Sequence, residues 1–355
     1  MSELASPTSF AEVAAVLRVA SAEGRAVRII GAGTKSAPTE SPEPGDVLVV
    51  KTTGLTPPIE HDPVDDFAVI AAGLPLAQVH GELAAADRLL ALDPPLSSGR
   101  HRQATIGGVI ATADSGPISH RYGGAREQLT GIVVALPDGT IARAGGRGTR
   151  SVAGYDLVSL YTGSLGTLGV ILAVSVRLHR LPEATATALG TATDAAQLLE
   201  AARRLHATIP ELQALDIAWR GGRGGLLAQT AGPQPQGAAG RAARAMLVAG
   251  LSGVDVVDDD GGLWARQRAG QRSAEGVVIK VAAGGALPVL LRHADSCGAT
   301  VIARAVRGTA YVEVEPEQLP ALRAGLPAEA PSGASALARA VKARFDPAGT
   351  LVAPL

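Results

Sequence analysis

The chain has few residues of several kinds, and each shortage excludes a class of protein. Cys297 is the only cysteine in 355 residues, so the chain alone cannot build a disulfide framework, a zinc ribbon or an iron–sulfur cluster, and a reducing compartment is the simpler setting. Charged residues make up 18% of the chain, and the net charge is -1. This balance offers no basic stripe for phosphates and argues against a nucleic-acid-binding protein.

Targeting signals, long apolar runs and metal-binding patterns are also missing from the sequence. The N-terminus has no basic region followed by an apolar run, so we predict no signal peptide. Apolar runs such as 131–136 are far shorter than the roughly 20 residues that span a bilayer. The seven histidines include no pair at the spacing of a metal site. We expect a cytoplasmic protein with no metal and no membrane span, and any membrane association would come through its partners.

The length of the chain predicts two domains, and the first half predicts α+β structure. Ser9 and Glu12 form a capping box at the start of a helix, and Gly24 ends that helix in the left-handed conformation. A second amphipathic helix is predicted over 76–87. Buried strands are predicted over 27–30, 47–50 and 67–72. Strand, helix and strand at these distances suggest βαβ units.

From Thr105 onward the pattern changes to short apolar runs between glycines, which predicts mostly antiparallel strands. Pro137-Asp138-Gly139 is a predicted turn among them. Beyond Pro182, helices are predicted over 194–207, 241–251 and 287–297, strands over 215–219, 277–282 and 311–314, and a loop over 232–240. That βα alternation predicts a compact second domain.

The segment Gly31-Ala32-Gly33-Thr34-Lys35 follows a predicted strand. Glycines let a backbone come close to an anion, and successive N–H groups with a hydroxyl can coordinate a pyrophosphate. In a chain with 43 glycines, a purely structural turn is an equally open interpretation. The segment is not a Rossmann fingerprint, because Ser36 replaces the third glycine, and its spacing does not fit a P-loop.

Five ordered motifs that are rich in small residues resemble one family. They are Gly31–Lys35, Asp93-Pro94-Pro95, Ala104–Thr112 with Ser115-Gly116 and Arg121-Tyr122-Gly123, Val152-Ala153-Gly154-Tyr155-Asp156, and Gly163–Ile171. In this order they resemble the PCMH-type FAD-binding proteins of the vanillyl-alcohol oxidase superfamily. The Val-Ala-Gly-Tyr-Asp stretch narrows the resemblance to the FAD-binding (E) subunit of glycolate oxidase.

The resemblance implies an α+β fold in which a PCMH-type FAD-binding domain of two α+β subdomains (1–182) is followed by a smaller α+β cap domain (183–330). A C-terminal segment (331–355) is expected to return toward the flavin domain. Thr34 stands where covalent relatives carry a histidine, so the FAD is expected to be noncovalent. Ala113 stands where an asparagine is common in the family, which is a departure from its pattern.

The resemblance also implies the residues that contact FAD. The loop 31–35 is expected to wrap the pyrophosphate, the segments around Pro94 and 105–116 to line the flavin and its ribityl chain, and the segment 166–171 to meet the adenine side. The expected cofactor-binding residues are Gly31, Ala32, Gly33, Thr34, Lys35, Pro94, Thr105, Ile106, Gly107, Gly108, Thr112, Ser115, Gly116, Tyr122, Gly123, Gly166 and Ile171.

The implied activity is the oxidation of a small 2-hydroxy acid such as glycolate by FAD, with electrons leaving through a second flavoprotein subunit and an iron–sulfur subunit. Two alternatives stay open, which are a flavin-binding structural or electron-relay subunit without its own turnover and a stand-alone alcohol oxidase. No catalytic base is identified. Lys280, His101 and Tyr155 are weak catalytic candidates, each with an ordinary structural interpretation beside it.

Overall fold

The computed structural model describes residues 3–34, 47–62, 66–95, 104–146, 156–258, 261–269, 277–326 and 336–352. The strands are β1 (Leu4–Ala5), β2 (Ala26–Ile30), β3 (Val47–Lys51), β4 (Glu60–Asp62), β5 (Phe67–Ala71), β6 (Arg88–Leu89), β7 (Leu129–Ala135), β8 (Ile141–Gly145), β9 (Val170–Arg177), β10 (His179–Arg180), β11 (Thr185–Ala192), β12 (Leu212–Arg220), β13 (Arg223–Ala231), β14 (Ser252–Val257), β15 (Val277–Ala282), β16 (Thr300–Arg304), β17 (Thr309–Val314) and β18 (Leu351–Val352).

The helices are α1 (Phe10–Ala22), α2 (Leu76–Ala85), α3 (Ile106–Thr112), α4 (Ser119–Tyr122), α5 (Ala125–Gln128), α6 (Leu157–Tyr161), α7 (Ala195–Thr208), α8 (Pro235–Val248), α9 (Gly261–Ala269), α10 (Leu287–Ser296), α11 (Leu319–Ala324) and α12 (Ala336–Phe345). Short 3-10 turns lie at Thr52–Gly54, Gly284–Ala286 and Pro316–Gln318. Among the described residues, no helix has both the length and the apolarity needed to cross a membrane.

A small parallel sheet forms the first subdomain, in the order β1-β3-β2-β18. Helix α1 packs on it through Val13 and Leu17, both fully buried. The sequence prediction for α1 is confirmed, since the Ser9 side chain accepts a hydrogen bond from the Glu12 N–H at 3.2 Å and Gly24 has a φ of 66°. The Glu12 carboxylate reaches back to the Thr8 N–H at 2.8 Å, one residue earlier than the predicted capping box requires.

An antiparallel sheet forms the second subdomain, in the order β4-β5-β9-β7-β8. The predicted antiparallel strands and the turn between β7 and β8 are confirmed, and Gly139 takes a φ of 81° in that turn. The prediction that β5 belongs to a βαβ unit is wrong. Only four residues separate β4 from β5, which is too short for the crossover that parallel strands need.

The segment after Thr105 begins with a helix that the sequence did not predict. Thr105 is the N-cap of α3, and its side chain accepts a hydrogen bond from the Gly108 N–H at 3.3 Å. Two glycines in the first turn hide this helix, because glycine is a poor helix former. Buried packing provides what propensity lacks, since Ile106, Val109 and Ile110 are all fully buried in the core beneath the antiparallel sheet.

The cap is built on a seven-stranded sheet in the order β14-β11-β13-β12-β16-β17-β15, and every pairing in it is antiparallel. The expected α+β cap is confirmed, but the βα alternation was incomplete because β11, β13, β14 and β16 were not predicted. The predicted loop at 232–240 is also wrong. Helix α8 begins there at Pro235, a first-turn position where the missing N–H costs nothing.

The two faces of the cap sheet differ in character because side chains alternate along each strand. One face is apolar and packs against α7, α8 and α10 through residues such as Ile217, Val301 and Val312. Asp216, Arg304, Tyr311 and Lys280 occupy the alternate positions of four neighbouring strands. That polar face contacts the FAD-binding side of the molecule through Ala113 and Ser115.

The C-terminal segment packs back onto the first two sheets. Strand β18 pairs in parallel with β2 through Leu351, which is buried beside Val27. Helix α12 places Phe345 edge-on against Tyr161, with 6.1 Å between the ring centroids. The ammonium group of Lys342 donates to the carbonyl oxygen of Thr167 at 2.8 Å. The segment therefore completes the parallel sheet and contacts the loop before β9.

Candidate FAD-binding site

A cleft lies between the two N-terminal sheets. It is bounded by the end of β2 and the turn after it, by α3, and by the segment that leads into β9. Its lining residues are Ile29, Ile30, Gly31, Ala32, Gly33, Thr34, Thr52, Thr105, Gly107, Gly108, Ala111, Thr112, Leu165, Gly166, Gly169 and Ile171.

The turn after β2 has glycine where a side chain would not be accommodated. A Cβ atom on Gly31 would lie 2.3 Å from the Thr105 hydroxyl oxygen, so this position brings the turn against α3. Gly33 has a φ of 70°, and a Cβ there would meet no protein atom within 4 Å. The first glycine is needed for protein packing. The second gives a left-handed backbone beside open space, as a loop around a diphosphate requires.

The opposite wall combines small residues with a few hydroxyl groups. Thr112 donates to the backbone oxygens of Gly108 and Val109 at 3.1 and 3.2 Å, and Thr105 caps the helix. Gly166 has a φ of 74° and its neighbour Leu165 has a φ of 54°. Few non-glycine residues adopt such positive angles, and they often lie at ligand sites. The cleft is thus mainly apolar, with backbone and hydroxyl groups at its edges, which fits a large planar cofactor with a diphosphate.

Ten of the predicted cofactor-binding residues line this cleft. They are Gly31, Ala32, Gly33, Thr34, Thr105, Gly107, Gly108, Thr112, Gly166 and Ile171. Six cleft residues were not predicted, namely Ile29, Ile30, Thr52, Ala111, Leu165 and Gly169. The sequence signal that could have found them is their position beside predicted residues, at the end of β2 and in the small-residue segment before β9.

Six other predicted residues lie away from the cleft. They are Pro94, Ile106, Ser115, Gly116, Tyr122 and Gly123. Ser115, Gly116 and Gly123 line a small separate cavity beside Asp93. A Cβ on Gly116 would lie 1.6 Å from the Asp93 carbonyl oxygen, so close packing explains this glycine. Tyr122 packs against the His179 ring, with 4.6 Å between the centroids.

Three predicted residues, Lys35, His101 and Tyr155, lie outside the described residues. The neighbour of Tyr155, Asp156, is described and caps α6 by accepting a hydrogen bond from the Ser159 N–H at 3.0 Å. Arg220, another cation of the cap, is exposed at the end of β12. Within the described ranges, no group of three or more His, Cys, Asp or Glu residues could hold a metal ion.

A polar cluster joins the cap to the FAD-binding side at the loop after α3. The Lys280 ammonium group donates to the Ala113 carbonyl oxygen at 2.9 Å and lies 3.9 Å from the Asp114 carboxylate. Arg304, which is buried, forms an ion pair with buried Asp216 and donates to the Ser115 carbonyl oxygen at 3.1 Å. Lys280 therefore lies on the predicted strand, but its described contacts are with protein groups.

Burial sets the protonation states of this cluster. Burial, with a smaller contribution from the Asp114 carboxylate, raises the pKa of the Tyr311 hydroxyl to about 12, so the hydroxyl is neutral. Burial also raises the pKa of the Asp93 carboxyl to about 7, although Arg304 and Arg268 act against that shift. Asp93 accepts a hydrogen bond from the Ile118 N–H at 3.2 Å and lies 4.0 Å from the Arg268 guanidinium.

A second set of contacts joins the two sides of the molecule farther from the cleft. The rings of His120 and His206 approach within 3.4 Å between nitrogen atoms. Burial, with smaller contributions from His206 and Arg307, lowers the pKa of His120 to about 4, so its ring is neutral near pH 7. Arg307 of the cap also forms an ion pair with Glu127 at 3.3 Å. Neither histidine lines the cleft.

Comparison with known proteins identifies the class of the protein. Residues 2–145 match the family model described as FAD binding domain. This part of the chain is thus similar to that family of FAD-binding domains, and the match supports FAD as the cofactor. The fold agrees, since the structure superposes on that of alkyldihydroxyacetonephosphate synthase with a TM-score of 0.75, covering 98% of this chain and 75% of that chain. At 15% sequence identity, this likeness concerns the fold alone.

Two curated relatives are similar over less than half of the chain. D-lactate dehydrogenase (cytochrome) 1, mitochondrial, from Saccharomyces cerevisiae is 33% identical over 146 residues, which are 41% of this chain and 24% of that protein. Glycolate oxidase subunit GlcE from Escherichia coli is 32% identical over 127 residues, which are 36% of this chain and 35% of that protein. The alignments thus span about a quarter of the first relative and about a third of the second.

Proposed function

We propose that this protein is the FAD-binding subunit of a 2-hydroxy-acid oxidase or dehydrogenase, and that it passes electrons from its substrate through FAD to partner subunits. The single observation that carries the proposal is the cleft between the two sheets, which is lined by an ordered set of glycines and threonines in an FAD-binding domain. The substrate class comes from the relatives, which are named for D-lactate dehydrogenation and glycolate oxidation.

In this proposal the turn 31–34 holds the pyrophosphate, with Lys35 continuing it, and α3 lies along the flavin and ribityl chain. Gly166 and Ile171 meet the adenine side. The remaining predicted contacts, from Pro94 to Gly123, do not line this cleft and stay predictions of the resemblance. The domain limits that we propose are 1–182 for the FAD-binding domain, 183–330 for the cap and 331–355 for the returning segment.

We infer that the FAD is bound without a covalent bond. Covalent flavins are attached through histidine or cysteine, and the described residues that line the cleft include neither. Thr34 lies at the turn where covalent relatives carry a histidine. When bound, FAD supplies a hydride acceptor. The contribution of the chain is to orient the cofactor and to shield it from water between the two sheets and the cap.

Partner subunits follow from the electron balance of the proposed reaction. A hydride carries two electrons, and the lone cysteine, Cys297, is buried in the cap and cannot hold an iron–sulfur cluster. The electrons would therefore leave through a second flavoprotein subunit and an iron–sulfur subunit. The proposed location is cytoplasmic, with any membrane contact made by those partners.

A second candidate function is a flavin-binding relay subunit that does not turn over substrate. The observation that favours it is the state of the cap cations that face the FAD-binding side. Arg304 is paired with Asp216, and Lys280 contacts Ala113 and Asp114. A hydroxy-acid site needs a cation for the carboxylate and a base for the hydroxyl proton. These two cations already contact groups of the protein itself.

Two measurements test these proposals. Acid precipitation of the purified protein should release FAD, not FMN, into the supernatant, and flavin that stays in the pellet would contradict noncovalent binding. Anaerobic mixing of the isolated chain with glycolate or D-lactate separates the two functions, because the relay function predicts that the flavin stays oxidised until the partner flavoprotein is added. Reduction of the isolated chain within seconds would instead refute the relay function and show that the chain has its own active site.

A further inference from the structure

The loop that follows α3 is held by the cap at three points. Lys280 donates to the Ala113 carbonyl oxygen at 2.9 Å, and Arg304 donates to the Ser115 carbonyl oxygen at 3.1 Å. The Tyr311 hydroxyl donates to the same Ser115 oxygen at 3.1 Å, and it is 3.3 Å from the Ser115 nitrogen, whose N–H it can accept. We call these three cap side chains the clamp. Each of these side chains contacts backbone atoms, so the clamp contacts depend on the backbone conformation of the loop.

Two of the clamp residues are rigidly placed. Arg304 is 2% exposed and Tyr311 is 3% exposed. The guanidinium of Arg304 is fixed by its ion pair with Asp216 and lies 5.7 Å from the centre of the Tyr311 ring. Because strands β16 and β17 are paired neighbours, the two side chains reach the loop from a stiff surface. Hydrogen bonds in such a buried setting are stronger than in water.

The loop itself is in a conformation that its sequence does not favour. Ala113 has a φ of 47° and a ψ of 35°, the left-handed region that residues other than glycine, asparagine and aspartate seldom adopt. The methyl side chain of Ala113 cannot form a hydrogen bond that would offset the cost of this conformation. Contacts from elsewhere must therefore hold this residue, and the clamp contacts both its carbonyl oxygen and that of Ser115.

The same loop is continuous with the wall of the FAD cleft. Ala111 and Thr112, the last residues of α3, line the cleft directly before Ala113. The Leu165 N–H, from the facing wall, donates to the Ala111 carbonyl oxygen at 2.9 Å. A change in the backbone at Ala113 would therefore move cleft atoms on both sides.

We propose that the clamp positions the end of α3 for FAD, so that cap docking and FAD binding are coupled. By linkage, a cap held in place raises the affinity for FAD, and bound FAD stabilises cap docking by the same factor. Lys280, Arg304 and Tyr311 act as positioning residues, since they contact the loop and not the cleft. The proposal goes beyond the proposed function and rests only on its FAD site.

The test compares FAD affinities of apo-protein variants by titration. Tyr311→Phe keeps the ring and removes the hydroxyl, and we expect the Kd for FAD to rise about tenfold, the factor for the loss of about 1.4 kcal/mol. Ala113→Gly makes the left-handed conformation easy, so the double variant should recover to within about threefold of Ala113→Gly alone. Arg241→Gln is the matched control, because it removes an exposed ion pair to Glu211 within the cap and leaves the loop and the docking contacts untouched.

Each outcome decides the proposal. A Kd within about twofold of wild type for Tyr311→Phe would overturn it, as would an equal loss in Arg241→Gln or a double variant without recovery. If Tyr311→Phe does not fold, Lys280→Met takes its place, because that side chain is exposed and its removal leaves the core intact. A wild-type chain that binds FAD but is reduced by no hydroxy acid would count against the proposed function alone, and the affinities would still decide the clamp.

Discussion

Asp93 should make the stability of the protein fall as the pH rises from about 4 to about 7. Its carboxyl group has a usual pKa of 3.8, and burial raises this value to about 7 in the folded protein. Between these two values the folded state holds a proton that the unfolded state releases, so each step up in pH favours unfolding. One unit of pKa corresponds to about 1.36 kcal/mol, and the difference of about three units therefore corresponds to about 4 kcal/mol.

The perturbation that isolates this effect is Asp93→Asn, which has nearly the same shape and does not titrate. Guanidinium denaturation of the apo-protein between pH 4 and pH 8 gives the free energy of unfolding for both proteins. The difference in the free energy of unfolding, wild type minus variant, should fall by about 4 kcal/mol as the pH rises across this range. Asp156→Asn is the control. Hydrogen bonds from Ser159 lower the pKa of that carboxyl below 3.8, so its difference from wild type should stay flat above pH 4. A flat difference for Asp93→Asn would refute the reasoning.

Three further predictions concern other sites. Gly33→Asp should abolish most FAD binding, because its carboxylate would repel the diphosphate, while Gly33→Asn, of equal size and equal tolerance for a positive φ, should bind better in the same titration. His120 has a pKa of about 4 in the folded protein and an ordinary value of 6.5, so between these values only the unfolded chain binds the proton and stability rises with pH. His120→Gln should reduce this rise in the free energy of unfolding, and an unchanged profile would contradict the reasoning. Asp216→Ala should cost about 3–5 kcal/mol in denaturation, because it leaves Arg304 buried without its carboxylate, and a loss below about 1 kcal/mol would contradict the pairing.

The sequence predicted those parts of the fold that local signals determine. The cap at Ser9, the left-handed glycine at Gly24 and the turn at Gly139 each depend on a few adjacent residues, and all three are present. Strand pairing depends on distant residues, which explains why β5 was wrongly placed in a βαβ unit. Helix α3 was missed for a related reason, since its two glycines disfavour a helix and only tertiary burial favours it.

The candidate site was also predicted only where local signals determine it. Glycine motifs located most of the cleft, but they did not separate glycines that face a ligand from those required by protein packing. Gly107 lines the cleft, yet a Cβ there would lie 2.8 Å from the Ala72 side chain, so its glycine is explained without FAD. Sequence reasoning could not find the clamp, because Arg304 and Tyr311 are 189 and 196 residues from Ser115, which they contact.

The pairing of β18 with β2 makes the cap an insertion within the FAD-binding unit. The chain leaves that unit after β10 and returns to it with α12 and β18. An unfolded insertion would resist this return through the entropy of closing a long loop, whereas a folded cap acts as a short rigid connection. Folding of the cap should therefore precede or accompany completion of the sheet that carries the turn 31–34. Mutations deep in the cap core, far from any flavin contact, should then slow cofactor incorporation during refolding.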